Sequence, residues 1–172
     1  MRRCLRLSFL LCALAVFAPW VQAAGDPLAQ GRALLGQGRF EDAEPLLQQA
    51  VKESPQAPQP HYWVGRLKEA QGDLEGAVEA IGQAARLDRG NMRLRMEYAR
   101  VLSRAEHYEA AANAYESIIR TAKDPEIRRE ARRLSEFLVG QRLAEGRDPE
   151  WALMYYRNMR ERYPTVPSVL ST

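Results

Sequence analysis

The residues that could do covalent or metal chemistry are few and badly spaced for it. The 172-residue chain has two histidines, His61 and His107, and two cysteines, Cys4 and Cys12. A zinc or iron site needs three or four histidine, cysteine or carboxylate ligands converging from fixed intervals, and neither histidine has such company in the sequence. There is no G-x-S-x-G elbow, no glycine-rich phosphate loop and no H-E-x-x-H. No catalytic residue, metal or cofactor is therefore expected, and the chain reads as no enzyme. The side chain that recurs with chemical meaning is arginine: Arg32, Arg66 and Arg100 stand 34 residues apart. A guanidinium offers a planar fork of N–H donors that matches a carboxylate two bonds at a time. That is the chemistry of binding. Glu69 and Glu97 offer a second use for the same forks, as partners on a solvated face, where an exposed pair contributes only ~0–1 kcal/mol.

The elements that hold these residues start after an address. "MRRCLRLSFLLCALAVFAPWVQAAGDP" opens with Arg2, Arg3 and Arg6, continues with an apolar run from Leu7 to Ala18, and closes on small residues. That order describes a secretory signal, cleaved after Ala23 or Ala24. The run is shorter than the ~20 apolar residues a spanning helix requires, and bulky Leu11 before Cys12 argues against a lipoprotein. Residues 1–23 carry three arginines and no acid, so the chain's 25 basic and 22 acidic residues become 22 and 22 after cleavage. A neutral mature chain gives no bulk-charge argument for nucleic acid. Both cysteines leave with the signal, so packing rather than disulfides must hold the fold. The predicted location is the periplasm, with no integral membrane segment after cleavage.

Beyond the signal the sequence repeats. "GRFEDAEPLL" at 38–47 returns as "GDLEGAVEAI" and again as "EHYEAAANAY", each 34 residues on. Ala43, Ala77 and Ala111 coincide, as do Leu47, Ile81 and Tyr115. Upstream, Gly31, Gly65 and Ala99 coincide. A fixed period of this size means stacked supersecondary units. Ala77, Val78, Ile81, Ala84 and Ala85 follow helical spacing. The small residues at the two aligned positions allow two helices to approach closely, and Gly38 and Gly72 suit the left-handed stop between them. A fourth copy is offset. From Ala111 to Ala152 is 41 residues, and the seven extra are expected to lengthen the helix that Asp124-Pro125 begins, with Val139-Gly140 at the close approach. Pro45 predicts that the second helix of the first unit starts near Asp42 rather than Phe40.

These residues resemble the tetratricopeptide repeat, whose pattern runs W-x2-L-G-x2-Y, A-x3-F, Pro. "HYWVGRLKEAQGDLEGAVEAIGQAARLD" (61–88) carries the likeness best. The resemblance implies an all-α, right-handed solenoid of about four helix-turn-helix units, near 24–57, 58–91, 92–125 and 126–166, followed by a tail at 167–172. It further implies a concave groove lined by first helices. Arg32, Arg66 and Arg100 share one groove position, joined by Arg93 and Arg104, and Leu28, Tyr62, Met96 and Phe137 form an apolar track beside them. Such a groove suits an acidic-hydrophobic segment or a C-terminal carboxylate. The asparagines of the carboxylate-clamp repeats are absent, so that ligand is not carried over.

The last helix supplies a second candidate surface. Ala152, Leu153, Tyr156 and Met159 are the expected inward residues, and Trp151, Met154 and Tyr155 are surplus. Either the tail with Val166, Val169 and Leu170 covers them, or another protein does, a second copy of the chain included. Two functions follow: an envelope scaffold or assembly factor that holds a partner segment in the groove, or a structural subunit of an export or exopolysaccharide complex that docks through this end.

Overall fold

A computed structural model describes residues 25–163, so the expected secretory signal and the tail beyond Tyr163 lie outside the described residues. The described chain is eight helices: α1 (Pro27–Gly36), α2 (Phe40–Glu53), α3 (Pro58–Ala70), α4 (Leu74–Leu87), α5 (Met92–Arg104), α6 (Tyr108–Thr121), α7 (Pro125–Ala144) and α8 (Pro149–Arg162). Each helix packs on its successor. The first helices also touch one another, α1 with α3 and α5 with α7, whereas α2, α4 and α6 are each wedged between two firsts. The first helices thus form the inner, concave layer and the second helices the outer one. The architecture is a helical-repeat solenoid, as the repeat implied.

Local chemistry sets the ends of the helices. Asp26, Asp73, Asn91 and Asp124 each accept a backbone N–H of the following first turn, the usual role of an N-cap. Proline occupies the first turn of α1, α3, α7 and α8, where its missing N–H costs nothing. The four turns within units are one motif repeated. Arg39 N donates to Leu34 O at 3.0 Å, Asp73 to Lys68 at 2.9 Å, His107 to Leu102 at 2.9 Å, and Arg147 to Arg142 at 3.2 Å. This is the six-to-one bond of a Schellman stop. Its left-handed residue is Gly38, Gly72, Glu106 and Gly146, with φ of 75°, 83°, 61° and 65°.

The small residues act as expected. A methyl on Gly65 would lie 2.4 Å from Ile81 Cγ1, and one on Gly31 would lie 2.7 Å from Leu47 Cδ2. Ala43, Ala77, Ala99 and Ala111 are fully buried. The core follows the repeats as a series of clusters, with Leu47 and Leu67 in one, Ile81 and Val101 in the next, and Ile118 and Leu138 in the largest. Burying each such side chain contributes ~1.5–3 kcal/mol.

Three details depart from the sequence reading. α2 starts at Phe40, not near Asp42, and Pro45 sits inside it. Its missing N–H leaves only the first-turn carbonyl of Glu41 without an intrahelical bond, and Glu41 is exposed to water that can satisfy it. α7 is lengthened as predicted, to 20 residues against 13 in α5, but the register of the close approach is different. Counting back from each left-handed turn residue, the counterpart of Gly31, Gly65 and Ala99 is Val139, not Gly140. Val139 is buried, while a methyl on Gly140 would meet nothing within 4 Å. The cause is one extra loop residue, Asp148, itself left-handed at φ 48°. A valine in the place of a glycine holds α8 off α7, and that pair packs more loosely than α3 with α4. The inward set of α8 shifts accordingly to Ala152, Tyr155 and Met159, and Leu153 is exposed.

Candidate functional site

The arginines of the concave layer are placed by successive first helices, but they are engaged with the chain's own groups. Arg32 lies over the Trp63 ring at 4.6 Å. Arg66 pairs with Glu69 at 3.3 Å and donates to the Tyr62 hydroxyl at 3.3 Å. Burial by itself would lower the Arg66 pKa, but the Tyr62 hydroxyl, Glu69 and Glu97 outweigh it and the net shift is upward. Arg104 reaches back to the same Glu69. Arg100 is held between Glu97 at 2.9 Å and Glu130 at 2.6 Å. The result is an interleaved ladder of cations and carboxylates, the second of the two uses the sequence offered for these forks. Arg93 differs. It is exposed and has no ion pair among the described residues.

The expected apolar track is only partly at the surface. Tyr62 is half-buried, edge-on to Trp63 with ring centroids 5.3 Å apart, and Leu28 is half-buried. Phe137 is 70% exposed. Met96 is a correction. At 5% exposure it belongs to the core between α5, α6 and α7, because its helical face turns toward Ala99 and Ala111 rather than to solvent. What remains of its surface floors a recess of about 140 Å³ between α5 and α7, with Met92, Arg93, Glu97, Arg100, Ile127 and Glu130 around it. This recess is where the concave layer brings a free guanidinium, apolar side chains and paired charges together.

The C-terminal face also needs correction. Tyr155, read as surplus, is 8% exposed. Its hydroxyl bonds Ser135 Oγ at 2.8 Å and donates to the Ala112 carbonyl at 3.1 Å, tying α8 to α7 and α6. Burial pushes its pKa up to about 12. Trp151 stacks on it, centroids 5.6 Å apart. Met154 and Leu153 remain exposed, at 55% and 50%. Trp151 and Met154 line a cleft of about 400 Å³ between α6 and α8, with Glu109, Asn113 and Glu116 opposite.

Sequence reasoning missed one buried cation. Arg142, 7% exposed, stacks over the Tyr108 ring at 4.2 Å and donates to Asp148 at 2.6 Å. The signal available was the surplus residue before α8, since Asp148 is the carboxylate that the longer loop brings back. Neither histidine has metal-site company. His61 bonds the Pro55 carbonyl and His107 pairs with Glu75, each at 2.9 Å, and no group of three or more potential metal ligands exists among the described residues. No described helix is long and apolar enough to cross a membrane.

Two family models, each described as tetratricopeptide repeat, match residues 28–92 and 68–129. No curated protein matches significantly. Among solved structures, the type III secretion translocator chaperone SycD of Yersinia enterocolitica superposes with a TM-score of 0.57 at 18% identity, covering 70% of this chain and 83% of its own. PcrH, solved with the chaperone-binding region of PopD, gives 0.59 at 17% identity, covering 67% and 90%. PilF of Pseudomonas aeruginosa gives 0.56 at 20% identity, covering 83% and 62%.

Proposed function

We propose that this chain, which belongs to the tetratricopeptide-repeat family, is a non-enzymatic protein-interaction module that holds a segment of a partner protein against its concave layer. The observation that carries the reading is the α5/α7 recess. Arg93 stands there without an ion pair, beside the apolar side chains of Met92 and Ile127 and the residual surface of Met96. A partner segment with a carboxylate near an apolar side chain fits that combination, the carboxylate on Arg93 and the apolar group over Met96. Arg66, Arg100 and Arg104 shape the groove through their own pairs, and partner carboxylates would exchange with Glu69, Glu97 or Glu130. Similar structures include SycD solved with a peptide of the translocator YopD and PcrH with a region of PopD, which supports a peptide-like ligand for this architecture. The N-terminal address supports a place in the bacterial envelope, as scaffold or assembly factor.

The test is a photocrosslinking residue at position 137, the exposed groove position on α7, or at position 154, in cells, with adducts from envelope fractions identified by mass spectrometry. The groove reading expects one discrete adduct from position 137, lost on adding Arg93→Ala. An adduct from position 154 alone would overturn it. That result belongs to the second reading, a structural subunit docking through α8. The exposed Leu153 and Met154 beside Trp151 favour it.

A further inference from the structure

The outer layer carries a cleft that the groove reading does not use. It lies over α5, between α4 and α6, has a volume of about 370 Å³, and is bordered by Arg86, Arg89, Arg95, Tyr98, Ala114 and Ser117. No carboxylate lines it. The contrast with the concave layer is one of charge. There, Arg66, Arg100 and Arg104 are neutralised by glutamates, whereas none of the three cleft arginines has an ion pair among the described residues.

Two of the three are nevertheless fixed in place by neutral acceptors. Arg95 donates to Ser117 Oγ at 2.7 Å and to Thr121 Oγ1 at 2.9 Å, and it also contacts Met92 Sδ at 3.5 Å. The Thr121 hydroxyl in turn donates to the Ser117 carbonyl at 2.7 Å. Arg86 donates twice to Gln83 Oε1, at 3.1 and 2.9 Å. Neutral acceptors orient a guanidinium without cancelling its charge, so the cost of ordering these long side chains is met before any ligand arrives. Arg89 stands exposed at the rim. Asp88, the acid next to it in sequence, accepts from Asn91 at 3.2 Å. The wall between the cations is apolar and aromatic. Gly82 allows Tyr98 to lie against α4, since a methyl there would sit 2.9 Å from Tyr98 Cε2 and 3.4 Å from Arg86 Nη1. The Tyr98 hydroxyl has no protein partner among the described residues, which leaves it as a donor.

We infer that this outer cleft is a second binding site, for an acidic segment of a protein chain. Carboxylates would take the forks of Arg86 and Arg95, with Arg89 at the entrance, and an apolar side chain between them would cover Tyr98 and Ala114. Fork-to-carboxylate pairing supplies orientation, and the aromatic wall distinguishes a peptide from a small oxyanion. This site is independent of the groove, being on the opposite layer.

The experiment is a titration of the purified protein with a blocked pentapeptide of glutamates around a central leucine, read by amide and arginine side-chain NMR shifts. A parallel arm uses inorganic phosphate. The expected result is saturable shifts at Tyr98, Ala114 and Ser117, with affinity falling at least tenfold in Arg86→Gln/Arg89→Gln and in Gly82→Ala. The first pair is exposed, so its fold is retained. In Arg66→Ala/Arg100→Ala the shifts at Tyr98, Ala114 and Ser117 should titrate as in the parent, whatever changes in the concave layer. Shifts confined to α5 and α7 residues of the concave layer, or lost only in the Arg66/Arg100 variant, would overturn the second site while leaving the groove reading intact. Phosphate binding as tightly as the peptide would overturn the assignment of a peptide ligand, and no saturable shift with either probe would overturn the site altogether.

Discussion

The repeated left-handed turn permits a swap experiment whose sign is fixed by geometry. Gly72 and Glu106 occupy the same position of consecutive Schellman stops, at φ 83° and 61°. A methyl on Gly72 would meet no heavy atom within 4 Å, so Gly72→Ala has no steric cost and reads the backbone alone. A side chain in the left-handed region costs ~1–2 kcal/mol, and the stiffer unfolded chain returns ~0.4–1 kcal/mol. The net loss is ~1 kcal/mol. Glu106→Gly runs the other way. It relieves the same ~1–2 kcal/mol, gives up ~0.4–1 kcal/mol in the unfolded state, and loses the exposed pair with Arg147 at 3.5 Å. Such a pair contributes at most ~1 kcal/mol and commonly much less, so the variant should gain ~0.5 kcal/mol. Urea unfolding followed by circular dichroism at 222 nm measures both, with m-values checked for constancy. A Gly72→Ala protein as stable as its parent would refute the reasoning, and so would a Glu106→Gly protein less stable than its parent.

Three further outcomes follow from the packing of the helices. Gly65→Ala should lose ~1–3 kcal/mol by overpacking, because Ile81 Cγ1 is 2.4 Å and the Ile81 nitrogen 3.1 Å from the new methyl; Gly140→Ala, with open space around it, should gain ~0.5–1 kcal/mol. The reverse order in thermal melts would sink the register assigned to α7. Tyr155→Phe should cost ~1–3 kcal/mol by stranding the Ser135 hydroxyl and the second lone pair of the Ala112 carbonyl, and Ser135→Ala in that background should cost less than it does alone; strictly additive losses would dissolve the network. Alkali should unfold the protein in a defined window. Burial holds Tyr115 and Tyr155 neutral until about pH 12, while unfolded tyrosines ionise near about 10. Their contribution is therefore complete below pH ~10 and lost between ~10 and ~12. Absorbance at 295 nm should show these two rings ionising only with loss of helix, and Tyr155→Phe should soften the pH dependence.

What the sequence disclosed was whatever a period of 34 can carry. Gly31, Gly65 and the three aligned alanines meant close helix pairs, and Gly38 and Gly72 meant left-handed stops, because each of those roles admits few residue types. Asp124-Pro125 marked the start of α7 for the same reason. The fourth unit was legible in outline and wrong in register. A single loop residue, Asp148, cannot be distinguished in sequence from one more residue of helix, and that ambiguity moved Val139 into the place assigned to Gly140 and turned Tyr155 inward. Met96 was misplaced for a related reason. A groove position names a place on an average helix, and it does not say how far the next helix, here a longer one, will cover it. The pairing state of the arginines was open in the sequence because it depends on residues such as Glu130, which comes from the neighbouring unit. The outer cleft went unremarked because its three arginines follow no period.

The length of α7 has a consequence for how molecules of this protein can meet. Its seven extra residues relative to α5 carry the last turn about 10 Å past the line of the others, at ~1.5 Å per residue. A repeat protein is a crystal in one dimension, and this overhang is a phase slip in its lattice. A second molecule offering the α1–α2 pair, cut to the 34-residue spacing, would find the α7–α8 end displaced by more than a turn of helix. Head-to-tail continuation, the operation that turns a solenoid into a fibre, is thereby put out of step. Two molecules that paired through their α8 surfaces would instead meet about a two-fold axis, and an assembly of that symmetry closes after two.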